Sequence, residues 1–340
     1  GIAILAAAHR LQLGVSSFVS VGNKADISTN DLLQYWEDDP STGIILLYLE
    51  SFGNPRRFAR IARRVARHKP IVAIKSGRSL AGRRAASSHT AALASSEVAV
   101  DTLFQQSGVI RADTLDELFA LARGLSDQPL PNGTRVGIVT NAGGPAILCT
   151  DACEAGGLSV PELSKATTTA LSAFLPPAAS VKNPVDLIAS AAPDHYTNAI
   201  TTLLASKEID ALIVLYMSVT VGDAVGIANG ILRGISTARQ AGGTDIPIYI
   251  CWMAEGDLGR TFETAGETIP TFSLPEQPAV VLSKAFRYEA WRTEPLGMIP
   301  DFDDIDFGTA RAICAQALSQ EGPGWLTVED NVLAALEWRG

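Results

Sequence analysis

The run Ser87-Ser88-His89-Thr90-Ala91-Ala92-Leu93-Ala94-Ser95-Ser96 places one histidine among residues too small to hide it. Imidazole is nucleophilic near neutral pH, and its charge follows its neighbours. A Gly- and Arg-rich approach, Lys75-Ser76-Gly77-Arg78-Ser79-Leu80-Ala81-Gly82-Arg83-Arg84, leads into it from the apolar run Pro70-Ile71-Val72-Ala73-Ile74. A strand feeding a small-residue loop with a single imidazole can carry a reactive group. A loop histidine that only caps a helix is the competing reading.

A second candidate lies where a strand gives way to a helix, at Asn141-Ala142-Gly143-Gly144-Pro145. Glycines let the backbone approach a ligand closely, and proline suits the first helical turn. Unpaired N–H groups and the helix dipole at such a start favour an anion such as phosphate. The segment is neither a Walker A sequence nor G-x-G-x-x-G, and a plain tight turn explains it equally. Glu50 ends the apolar run 44–49, at the carboxyl edge where open α/β sheets place their ligands. A carboxylate there can hold an imidazole in one tautomer, whereas without a partner it is a solvated strand end. His9, His68 and His195 have no such setting and read as structural or exposed. Asn183-Pro184-Val185-Asp186 reads as a turn rather than a site lining.

These groups need a scaffold, and the hydrophobic pattern supplies one. Helices are expected at 2–11, 29–37, 55–68, 95–107 and 114–124. Strands are expected at 18–21, 43–49 and 71–75. Continuous apolar strands alternating with helices argue for a parallel sheet covered on both faces. Asp127-Gln128-Pro129-Leu130-Pro131-Asn132-Gly133 has linker chemistry. The pattern then restarts with strands at 135–140, 211–216, 246–251 and 271–272, and helices at 145–155 and 276–291. The expected division is therefore 1–126, a linker at 127–133, a second α/β unit at 134–295, and a hinge at 296–340. Gly324-Trp325-Leu326-Thr327 before a helical 328–338 would suit that hinge.

The chain has 340 residues, 47% of them hydrophobic and 19% charged, ample for sizeable cores. A net charge of −9 argues against nonspecific nucleic-acid binding. The arginines at 56, 57, 60, 63, 64 and 67 have the spacing of a solvated helix face. Cys149, Cys153, Cys251 and Cys314 form no CxxC pair, and the first two are expected in the core. With no disulfide framework the expected compartment is a reducing cytoplasm. No apolar run approaches the roughly 18 residues of a membrane span, and no metal-ligand spacing is evident. The chain opens directly on an apolar helical run without an initiator methionine, as expected of a piece of a longer polypeptide.

Taken together, these segments resemble the nucleoside-diphosphate-forming acyl-CoA synthetase family, relatives of succinyl-CoA synthetase. The phosphohistidine segment of that family reads S-H-T-G-A-L-A-G, and Ser88-His89-Thr90-Ala91-Ala92-Leu93-Ala94-Ser95 is similar to it. Lys75–Ser79, Gln106–Arg111, Val19–Asp26, Thr140–Pro145 and Asn183–Leu187 resemble the family in the same order, from residue 1 to about 293. A weaker resemblance continues through Gly324–Thr327 toward an ATP-grasp region. The implied fold is α/β, with two flavodoxin-like, succinyl-CoA-synthetase-type parallel-sheet domains in tandem.

The resemblance implies an acid–thiol ligase: acid, CoA and NTP give acyl-CoA, NDP and phosphate. His89 would be the phosphorylated residue and Glu50 the carboxylate that orients it. Ser88, Thr90, Gly77 and the turn Asn141, Ala142, Gly143, Gly144 and Pro145 would cradle the phosphate. The helix at 2–11 would supply a second dipole, its N-terminal turn lying before residue 1. CoA and ATP or ADP with Mg would be held mostly by CoA-binding and ATP-grasp domains, on the same polypeptide or a partner subunit. This piece alone is then expected to be inactive. A homodimer through the second α/β unit is one arrangement. Ala91 and Ser95 stand where the family has glycine, which stiffens the loop. Two other functions stay open here: a ligand-sensing region of a protein-lysine acetyltransferase, and a non-catalytic CoA- or anion-binding module.

Overall fold

The computed structural model describes residues 2–22, 24, 26–77, 97–218, 224–242, 245–254, 262–264, 267–295, 297 and 307–322. Residues 1–293 pack as one compact unit, and 294–340 form another.

The first layer begins with α1 (Ile2–Arg10) and α2 (Thr29–Asp38). The Ser28 N–H donates back to the Asp31 carboxylate at 2.9 Å, satisfying an amide at the start of α2. Then come β1 (Ile45–Leu49), α3 (Pro55–Val65), β2 (Ile71–Lys75), α4 (Glu97–Ser107), β3 (Val109–Arg111) and α5 (Leu115–Ser126). Helix α3 shows why the local sequence folds as it does. The Asn54 side chain accepts from the Arg57 N–H at 3.0 Å, and Pro55 occupies the first turn. Phe58, Ile61, Ala62 and Val65 bury one face, while the arginines stand in solvent or pair across to α2. Arg57 reaches Asp31 and Arg64 reaches Glu37, each at 2.6 Å. Strands β1, β2 and β3 form a parallel sheet in that order, with β2 central and buried from Ile71 to Ile74.

The strand expected at 18–21 is absent, because Phe18 and Val19 remain exposed and have no face to bury. Side chains hold this stretch instead: Ser17 accepts from the Trp36 indole at 2.8 Å, and the Ser16 and Thr42 hydroxyls meet at 2.8 Å.

The second layer comprises β4 (Val136–Thr140), α6 (Gly143–Ala155), α7 (Lys165–Ser172), β5 (Val185–Asp186), α8 (Pro193–Ser206), β6 (Ala211–Met217), α9 (Ala224–Gln240), β7 (Ile248–Met253), an antiparallel pair β8 (Glu263–Thr264) and β9 (Glu267–Thr268), β10 (Thr271–Phe272) and α10 (Glu276–Thr293). The parallel sheet runs β5-β4-β6-β7-β10, the flavodoxin order, with its switch point between β4 and β6. Strand β7 starts at Ile248 rather than 246 because Pro247 has no N–H for a ladder.

The two layers share a core. One cluster takes Phe58, Val72 and Phe104 from the first layer and Ile138, Cys149, Ile213 and Leu282 from the second. The linker is part of the join. Gln128 is buried, accepts from the Ile248 N–H at 2.8 Å, and donates to the Thr268 carbonyl at 3.0 Å. The Tyr249 hydroxyl donates to the Gly124 carbonyl at 3.0 Å, and Tyr288 to that of Ala66 at 2.6 Å. In 294–340 the described element is α11 (Phe307–Glu321); the expected hinge and helix at 324–338 lie outside the described residues.

Candidate functional site

Leu49 and Lys75 face one another in the last rung of the β1–β2 ladder, so Glu50 and Ser76 leave the sheet together. The Ser76 N–H extends that ladder to the Leu49 carbonyl at 2.9 Å. Glu50 is exposed at this edge, and Gly77 takes φ +73°, a left-handed conformation that glycine adopts cheaply. Ser88, His89 and Thr90 lie outside the described residues, in the segment between Gly77 and Glu97.

The edge is rich in charge. The Lys24 ammonium donates to the Ser51 carbonyl at 2.8 Å, and Lys75 donates to the Ser76 carbonyl at 2.6 Å. Burial lowers both lysine pKa values, against the opposing pull of Glu50 and, for Lys75, of Glu97. Arg111, closing β3, hydrogen-bonds Glu97, Asp101 and, at 3.1 Å, Asp113. Burial alone would lower its pKa, but the three carboxylates outweigh that and raise it. For Lys75 its place at the carboxyl end of β2 is the signal in the sequence; Lys24 follows no strand and offers none.

The second sheet carries the glycine turn at its own carboxyl edge, beside the switch point. Asn141 is buried, and its side chain forms a two-bond clasp on Met217: the Met217 N–H donates to Oδ1, and Nδ2 donates to the Met217 carbonyl, both at 2.9 Å. The Asn141 amide thus joins β4 to β6, and the clasp uses one of its two N–H donors. The Ala142 N–H donates to the Thr140 hydroxyl at 3.0 Å. Helix α6 then opens with no side-chain cap, with Gly143 and Gly144 exposed and Pro145 bringing no N–H. The two glycine amides are the donors this start can offer an anion.

The turn expected at 183–186 is in part a strand: the chain bends at Asn183 and Pro184 and then enters β5. Asn183 accepts from the Ile138 N–H at 3.0 Å and donates to the Val136 carbonyl at 2.8 Å, standing in for a strand neighbour. Asp186 Oδ1 accepts from the Ile188 N–H at 2.9 Å, while Oδ2 lies 3.5 Å from where a Cβ on Gly143 would be. A carboxylate therefore borders the start of α6. Among the described residues no hydrogen bond joins Glu50 to the 141–145 turn. His195 caps α8, its Nδ1 accepting from the Ala192 N–H at 3.1 Å. Cys149, Cys153 and Cys251 are buried; contact with Cys153 and burial raise the Cys149 thiol, and burial pushes Cys251 up to about 12. Among the described residues, no group of three His, Cys, Asp or Glu side chains is placed to hold a metal ion, and no helix is long and apolar enough to cross a membrane.

Residues 1–125 match the family described as succinyl-CoA ligase like flavodoxin domain, and residues 136–293 match the Ligase-CoA domain. The ADP-forming acetate–CoA ligase II subunit alpha of Pyrococcus furiosus is 40% identical, over 78% of this chain and 58% of that protein. The corresponding subunit of ligase I from the same organism is 37% identical, over 86% of this chain and 63% of that protein. Among solved structures, the Ca. Korarchaeum cryptofilum dinucleotide forming acetyl-coenzyme A synthetase 1, in complex with phosphate and ADP, superposes with a TM-score of 0.78. It is 33% identical and covers 86% of this chain and 63% of its own. The chain thus spans about three fifths of the length of these relatives.

Proposed function

The chain belongs to the nucleoside-diphosphate-forming acyl-CoA synthetase family, and from that premise we propose that it is the phosphoryl-carrying part of an acid–thiol ligase. In this reading His89 takes a phosphoryl group from a nucleoside triphosphate, with a P–N bond forming as the P–O bond to the diphosphate breaks. It passes the group to a carboxylic acid, giving an acyl phosphate; the CoA thiol then displaces phosphate to leave acyl-CoA. Glu50 accepts the imidazole N–H on the side away from the phosphorus, fixing the tautomer and supporting the cation that forms. The Gly143 and Gly144 amides, with the dipole of α6, receive the charge of the phosphorylated histidine. Gly77, Ser88 and Thr90 complete the phosphate cradle in this proposal.

What supports the reading is the position of the segment that bears His89. The described residues on either side of it are Gly77, which follows β2 beside Glu50, and Glu97, which Arg111 holds. CoA and the nucleotide with Mg belong, in this proposal, to CoA-binding and ATP-grasp domains on the same polypeptide or a partner subunit. The nucleotide supplies the phosphoryl group and CoA the thiol. The test is incubation of the full-length protein with radiolabelled ATP and magnesium. Acid-labile, alkali-stable label that disappears in His89→Asn is expected; label that persists in that variant overturns the assignment.

A further inference from the structure

Lys24 and Lys75 bracket Glu50, and neither has a role in the chemistry above. Neither is held as an ordinary surface lysine. Lys24 reaches across to the carbonyl of Ser51, the residue after Glu50, and approaches its hydroxyl at 3.5 Å. Lys75 folds back on the carbonyl of Ser76, which is itself laddered to Leu49. Both ammonium groups are thus pinned by backbone oxygens beside the carboxylate rather than by ion pairing to it. Lys24 directs donors at both oxygens of Ser51, and Lys75 spends one on the Ser76 carbonyl, so among the described residues each ammonium has a donor to spare. Both feel the charge of Glu50, and Lys75 also feels Lys24 and Glu97. Glu97 is in turn held by Arg111.

A carboxylate that orients a phosphorylated imidazole has a defect: it repels the incoming dianion. Two partly desolvated ammonium groups reverse the local charge from −1 to +1 without displacing the carboxylate. We propose that Lys24 and Lys75 are positioning residues that fix Glu50 and form a cationic bracket admitting a phosphoryl dianion beside it. The proposal rests on the phosphotransfer reading of His89 and Glu50.

The experiment uses the full-length ligase with Lys24→Met and Lys75→Met, singly and together, and Lys→Arg at each position. Single-turnover labelling from radiolabelled ATP and magnesium is followed across pH, beside kcat, KM and thermal melting. Each Met variant should label about tenfold more slowly, the pair more slowly still, with KM for the acid changed less than twofold. The acidic limb of the profile should move to higher pH, because removing cations near an imidazole favours its protonated form. The Arg variants should recover most of the rate. If the wild type takes no label, the phosphotransfer reading itself fails. If it does and the Met variants label at the same rate with the same acidic limb, the bracket is overturned. If the Met variants melt early, Arg variants that fold normally yet label as slowly as Met overturn it too, and recovered ones support it.

Discussion

Trp291 lies against Gly108 so closely that a Cβ built on the glycine would stand 2.2 Å from Cζ3 of the indole. Gly108 turns α4 into β3 at φ +70°, and Trp291 belongs to α10 of the other layer. Tyr288 stacks on the indole, and the Arg67 guanidinium lies 4.6 Å from its centre. The turn and the ring together fasten the last helix of the second layer to the first.

Gly108→Ala should therefore be costly twice over. A left-handed alanine adds about 1 kcal/mol of backbone strain, and the clash adds about 1–3 kcal/mol of overpacking. Urea unfolding should show a loss of about 2–4 kcal/mol, with both layers unfolding in a single transition. An unchanged midpoint would contradict this.

Asn141→Ala leaves the N–H and carbonyl of Met217 without partners at the switch point. Buried unpaired groups of this kind cost about 1–3 kcal/mol each. Asn141→Asp keeps the acceptor but sets a buried carboxylate oxygen against the Met217 carbonyl, so it too should melt below the wild type. Equal melting of all three would remove the clasp from the account.

Asp210 accepts from the Arg135 guanidinium at 2.7 Å and from the Arg135 N–H at 3.0 Å. Burial opposes its ionisation, but these bonds win and hold its pKa below the ordinary 3.8. A depressed carboxylate contributes stability above the ordinary value and loses it as pH falls through the folded one. Stability measured by denaturant should thus drop more steeply below about pH 4 in the wild type than in Asp210→Asn.

Ala91→Gly and Ser95→Gly restore the glycines of the related phosphohistidine segment. On the proposed phosphotransfer to His89, each substitution should raise the rate of labelling of the full-length protein by a few-fold, in line with the roughly 0.5–1 kcal/mol that separates alanine from glycine. Labelling at or below the wild-type rate would show that Ala91 and Ser95 impose no such cost.

Most strands were legible because their burial is two-sided: Ile71–Lys75 appears where its apolar run stands, and Val136–Thr140 within one residue of expectation. Helix α9 was not, and its glycines explain why. Gly230 and Gly234 lower helix propensity, yet they let α9 press on α8, where a Cβ on Gly230 would stand 2.4 Å from the Pro193 carbonyl oxygen. The Thr197 hydroxyl closes the same contact by donating to the Gly230 carbonyl at 2.7 Å. Strand β3 was missed because three residues carry no period. The place of Glu50 just beyond the carboxyl end of β1 was legible from the apolar run before it. The employment of Asn141 on Met217 was not, since a side chain that replaces a ladder rung depends on a partner 76 positions away.

Gln128 gives the two-layer join a consequence for how such proteins can be recombined. By sequence the chain divides into two modules, each with its own family match. By packing, the residues between them bolt one to the other, and a single apolar wall serves both. A chimaera that exchanged one half for that of a relative would inherit a seam to be matched at Gly108 with Trp291, Gly124 with Tyr249, and Gln128 with Ile248. Within residues 1–293 the units of inheritance and the units of folding are not the same.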